Sequence, residues 1–301
     1  MRARIAFAVV VAAVLAGPAL RAQPAQPKAP PPDPTPVLDQ ISQHLTEYYA
    51  RAQSLVSREE VIQQPLKSDM SFDGMATRFA YQLRLEWNPT EPSSSAAATM
   101  MRQLLTVNGR VPKPKDKPKC MQPQEEWPEP LTMFLPQERR DYNFKWAGTG
   151  RMDGVETVSI DFEQRRRPSR SEQPDATTKQ GVDDDESCVS YVLVGQVKGR
   201  VWVARETGEV LRLDYSYYGP FDIGLPKKVQ SRWQSTAITI DRHTVSIRYK
   251  RVAFQDPEET LMLPESIQTV NIIRGGGAAS LRMTQQFTNY RRFITAGRLV
   301  E

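Results

Sequence analysis

The chain is poor in the residues on which most catalysis at neutral pH depends. It holds two His and two Cys in 301 residues, too few and too scattered for the ligand spacing of a zinc site. It contains no Gly-x-Ser-x-Gly elbow, no His-Glu-x-x-His helix and no phosphate-cradling glycine loop. Gly148-x-Gly150-x-x-x-Gly154 is like a dinucleotide loop only superficially, because it lies between two strand patterns and opens no helix. Apolar runs are also short: none approaches the roughly 20 residues of a membrane-spanning helix. Arg165–Arg167 is the only basic triple, and the acidic run Asp183–Glu186 follows it. These absences leave no catalytic residue, cofactor or metal site to assign. Carboxylate pairs drawn from distant strands leave no local spacing, so a motif-free hydrolase stays open as a minor alternative.

At the N-terminus, Arg2 and Arg4 precede the 13-residue apolar run Ile5–Gly17, and small residues follow up to Ala22. A basic start, a short apolar core and small residues describe a secretory signal peptide, residues 1–22. Pro18 and Arg21 interrupt the run before it reaches anchor length. No Cys follows to accept a lipid. Loss of Arg2, Arg4 and Arg21 takes the formal charge from +5 to +2, so the basic balance is largely a targeting feature and argues against nucleic acid. The mature chain is expected to be exported, periplasmic or secreted, without a transmembrane segment. Residues 23–36 hold seven of the 24 prolines, which marks a Pro-rich linker. Residues 37–301 then form a single β-rich domain.

Within that domain Val37–Val56 reads as an amphipathic helix, with Leu38, Ile41, Leu45, Tyr48, Ala52 and Leu55 on one face and Pro36 suiting its first turn. His44 on it reads as solvated. The period then changes to 2. Phe79, Tyr81, Leu83, Leu85 and Trp87 alternate with polar residues, as do Tyr142, Phe144 and Trp146. Val155–Phe162 follows the glycine turn. Val201 and Val203 lead through Glu206–Glu209 to Leu211, Leu213, Tyr215 and Tyr217. Ile238 and Ile240 are expected to pair with Val245, Ile247 and Tyr249 across a turn at Asp241-Arg242-His243, which makes His243 a turn residue. Ile267–Ile273 turns at Gly275–Gly277 into Leu281, Met283, Gln285 and Phe287.

The expected fold class is therefore mainly β (α+β). About nine to eleven antiparallel strands form a large curved sheet covered by one long N-terminal helix, with a short helix near Leu131–Leu135. Loop insertions are expected near 88–98 and 165–186, the second a solvated loop whose charged ends attract. Two Cys in an exported chain most often pair, and a Cys120–Cys188 bridge is expected, stabilising by at most about 4 kcal/mol.

The stretch Gly199-Arg200-Val201-Trp202-Val203-Ala204-Arg205-Glu206-Thr207-Gly208-Glu209-Val210-Leu211-Arg212-Leu213 resembles a hairpin of the lipoprotein-localisation (LolA/LolB-like) superfamily of exported bacterial proteins. Leu263-Pro264-Glu265 and the closing Phe287–Phe293 segment are similar to its late strands. The resemblance covers roughly Val37–Phe293 and implies an unclosed barrel with a helix in its opening and a concave apolar face that receives acyl chains. The chain is long for that fold and lacks a lipoprotein Cys, so it resembles uncharacterised exported members more than the membrane-anchored branch. The expected function is a non-enzymatic binding or carrier protein for a hydrophobic ligand such as a lipid or lipoprotein acyl chain. The alternative is an envelope protein–protein interaction module without a lipid ligand. Tyr81, Leu83, Leu85, Trp87, Leu213, Tyr215 and Tyr217 are the candidate apolar face; for any one of them simple packing against the helix is the more ordinary explanation, and as a set they do not decide between a packed and a hollow sheet.

Overall fold

The computed structural model describes residues 32–51, 54–86, 98–113, 126–127, 130–165, 196–225, 227, 230–231, 234–255, 258–275 and 279–292. The expected leader 1–22, most of the expected linker 23–36, the segments 88–97 and 166–186, and Trp87, Cys120 and Cys188 lie outside these residues.

Helix α1 spans Thr35–Arg51. Asp33 Oδ1 accepts a hydrogen bond from the Thr35 amide at 3.0 Å, and Pro36 falls in the first turn, where a missing N–H costs nothing. Leu38, Ile41 and Leu45 are buried, as the periodicity predicts. The helix stops before the expected Val56. Leu55 and Val56 belong instead to strand β1, Ser54–Leu66, where Leu55 pairs with Leu85 and Arg292. Leu55 suits the helix face and the strand face equally, and tertiary pairing decides between them.

The remaining strands are β2 (Thr77–Glu86), β3 (Ala98–Val107), β4 (Glu126–Trp127), β5 (Tyr142–Met152), β6 (Val155–Gln164), β7 (Val197–Ala204), β8 (Val210–Tyr217), β9 (Phe221–Gly224), β10 (Ala237–Gln255), β11 (Glu258–Arg274) and β12 (Ser280–Arg292). A 3-10 turn at Pro130–Phe134 and a four-residue helix α2, Pro136–Arg139, stand where a short helix is expected. All twelve strands belong to one antiparallel sheet in the order β4-β3-β2-β1-β12-β11-β10-β8-β7-β6-β5, with β9 paired to β10. Its path begins at β4 and ends at β5 without closing into a barrel.

One turn is not where the sequence places it. Asp241, Arg242 and His243 lie within the 19-residue strand β10, which runs unbroken from Ala237 to Gln255. Its first part pairs with β9 and its later part with β8, so one long strand serves two neighbours. A bulge between Ile240 and Arg242 absorbs the change. The glycine turn after Trp146 is also shorter than expected. Gly148 and Gly150 lie within β5, and the reversal falls at Asp153 and Gly154, both at positive φ (50° and 85°), the geometry of a two-residue hairpin turn.

The main core lies between the sheet and its helical cover. Leu38, Ile41 and Leu45 of α1 pack with Leu55, Leu83 and Leu85, with Val201, Val203 and Leu213, and with Leu131, Met133 and Phe134 of the 3-10 turn. Ser42, buried on α1, donates to the Phe134 carbonyl at 2.5 Å, and Arg139 of α2 pairs with Asp39 at 2.8 Å. Burying each large apolar side chain here contributes about 1.5–3 kcal/mol.

Candidate functional site

Side chains alternate between the faces of a strand, so the register assigns each residue to a face. Val61, Gln285, Ile267, Ile247, Leu213 and Val201 stand opposite one another in turn across β1, β12, β11, β10, β8 and β7. The neighbouring row holds Met283, Thr269, Val245, Tyr215, Gly199 and Phe162. This is the concave face, the one α1 packs against.

The candidate residues divide into three groups on it. Leu83, Leu85 and Leu213 are buried in the core under α1, with Tyr215 packed at its border. Tyr81 belongs to a separate buried cluster with Val61, Phe79 and Val107, against which Leu104 and Met283 pack. Tyr217 meets Tyr215, Phe221 and His243 edge-on, at 5.4 Å between ring centroids for His243. Four strands separate β2 from β8, so these residues share a face without forming one patch. Leu104, Tyr215, Tyr217, Thr269, Leu281 and Met283 each keep part of their surface accessible.

The concave face also carries polar residues that alternation alone does not single out. Glu59 is fully buried on β1, opposite Tyr81 and Phe287. It accepts hydrogen bonds from Arg102 Nε at 2.6 Å, from Arg102 Nη2 at 3.1 Å and from Gln285 Nε2 at 2.7 Å. Ser57, opposite Leu83, is buried beside it in the strand. The Tyr81 hydroxyl is buried and without a hydrogen-bond partner. Burial, reinforced by the Glu59 charge, pushes its pKa up to about 12, so it is a neutral O–H donor. The sequence held one signal of this cluster: Gln285 interrupts the otherwise apolar series Leu281, Met283, Phe287.

His243 is the second unexpected group. It faces Tyr217, burial lowers its pKa to about 4, and its Nδ1 is buried without a partner. It is neutral at pH 7. No cluster of three or more His, Cys, Asp or Glu suited to a metal ion occurs among the described residues, nor is any helix among them long and apolar enough to cross a membrane.

The outer face is chemically different. A shallow groove of about 730 Å³ runs across β5–β8, β10 and β11. Arg200 and Arg212 flank the Trp202 ring at 5.9 and 5.0 Å, and each pairs in a bidentate manner with an aspartate, Asp161 and Asp214. These charges satisfy one another.

No protein-family model matches this chain, and no curated protein matches it. Among solved structures it is similar to a DUF1329 family protein from Desulfovibrio piger, with 8% identity and a TM-score of 0.38, covering 88% of this chain and 95% of that one. It is also similar to an outer membrane lipoprotein-sorting protein domain from Vibrio parahaemolyticus (9% identity, TM-score 0.35, 89% and 95% coverage). A third is a LolA superfamily protein from Nitrosomonas europaea (11% identity, TM-score 0.31, 85% and 94% coverage).

Proposed function

We propose that this chain is an exported, non-enzymatic binding or carrier protein for a hydrophobic ligand such as a lipid or lipoprotein acyl chain. The observation that carries the reading is the concave apolar face, which α1 and the Pro130–Arg139 segment cover over one part only. Beyond that cover, inward-facing aromatic and aliphatic side chains keep accessible surface. An apolar concavity with a few convergent polar groups is the common form of a small-molecule site. Export rests on the signal-peptide pattern of residues 1–22. Native mass spectrometry of the purified protein tests the reading. Co-purifying lipid, or saturable binding of a fluorescent fatty acid, is the expected result; absence of both overturns it.

A second reading, a protein-interaction module, is favoured by the loop between β1 and β2. Met70, Phe72 and Met75 are 43%, 60% and 92% exposed there, a density of large apolar groups that often marks a contact surface. A co-purifying protein without lipid would favour it.

A further inference from the structure

The buried cluster around Glu59 has no need to exist for stability alone. A buried ion pair contributes little beyond what well-packed apolar residues of similar volume provide. A tyrosine whose hydroxyl finds no partner is worse placed than phenylalanine, because buried polar groups are almost always hydrogen-bonded. Both features occur together on the inner face. Glu59 is opposite Tyr81, and the guanidinium of Arg102 reaches Glu59 through Nε and Nη2 only. The cluster adjoins a concentrated apolar surface, since Val61, Phe79 and Val107 surround Tyr81. Leu104, opposite Tyr81 on β3, and Met283 on β12 keep accessible surface beside it.

We propose that Tyr81, supported by Arg102 and Gln285 around Glu59, anchors the carbonyl oxygen of an ester- or amide-linked acyl chain whose hydrocarbon part lies along Leu104, Met283 and the Val61–Phe79 cluster. This deepens the carrier reading and rests on it. Charge balance selects the ligand class. Glu59 and Arg102 already neutralise one another, and the Tyr81 hydroxyl is a neutral donor without an acceptor. A neutral carbonyl supplies that acceptor with no new charge. A free carboxylate would instead set a second anion beside fully buried Glu59, in a medium where like charges repel strongly.

The test is displacement of the apolar dye N-phenyl-1-naphthylamine at pH 7.5 by monopalmitin, by palmitate and by tetradecane, for the wild type and for Tyr81→Phe. The wild type is expected to take monopalmitin more tightly than palmitate. Tyr81→Phe, which keeps the ring and loses only the hydroxyl, is expected to weaken monopalmitin about two- to ten-fold, the scale of one net hydrogen bond. Tetradecane, which has no oxygen, should be unchanged. Equal monopalmitin affinity in the two proteins, or a preference for palmitate, overturns the anchor and leaves the carrier reading standing. Failure of the dye and all three competitors to bind overturns both.

Discussion

At the scale of single residues, two buried polar groups set measurable properties. Arg102 and Glu59 are 16% and 0% exposed as side chains, so their pairing cannot be replaced by water. Arg102→Met leaves Glu59 buried without a counter-charge and is expected to cost about 3–5 kcal/mol in urea-denaturation midpoints converted to free energy. Replacing both partners by apolar residues should recover most of that loss. His243 gives a pH dependence of known sign. Its folded pKa of about 4 lies below its ordinary 6.5, so the neutral form is the one the fold accepts. Its contribution is fully present above pH 6.5 and is lost as pH falls from 6.5 toward 4, amounting to about 3 kcal/mol at most. Thermal melts across pH 4–7 should show a shallower acid limb for His243→Phe than for the wild type.

At the scale of elements, the tightest constraint is Gly199 on β7. A Cβ there would lie 2.1 Å from the Asp214 carbonyl oxygen, 2.6 Å from Phe162 Cζ and 2.9 Å from Tyr215 Cα. Two of these are backbone atoms, which cannot swing aside, so Gly199→Ala must open the β7–β8 pairing. A loss of about 1–3 kcal/mol or more is expected, seen as a lower Tm by calorimetry. The elements that could be read from the chain are those whose buried face is uniformly apolar. Phe79, Tyr81, Leu83 and Leu85 announce β2, and Leu38, Ile41 and Leu45 announce α1. Strand β1 was invisible for a physical reason: its inward positions include Ser57 and Glu59, which break the alternation a strand is recognised by. The residues that hide β1 are thus those that build the buried cluster, and such pairing is settled only when β2, β3 and β12 come together. His243 was misplaced similarly, since three consecutive polar residues look like a turn until two neighbouring strands pair across them.

At the scale of the whole molecule, the general plan was legible because it depends on the order of helix and strands, while the ligand was not, because a concave face is made by curvature. The bridge between Cys120 and Cys188 belongs to this scale as a proposal: it would tie the segment after β3 to the one before β7. Mass spectrometry of the exported protein under non-reducing conditions should show no free thiol; two free thiols would dismiss the bridge. The position of β12 has a further consequence. It is the latest described strand in the chain, yet it sits between β1 and β11 in the sheet. Among the described residues, the four strands on one side and the six on the other path, from β11 to β5 with β9 attached to β10, are joined edge to edge only through it. A polypeptide delivered from its N-terminus therefore carries two half-sheets with bare hydrogen-bonding rims until Ser280–Arg292 arrives. Those rims can pair with any other extended chain nearby, so products ending before Ser280 should clump together, and the concave face comes into being only in the final moments of assembly.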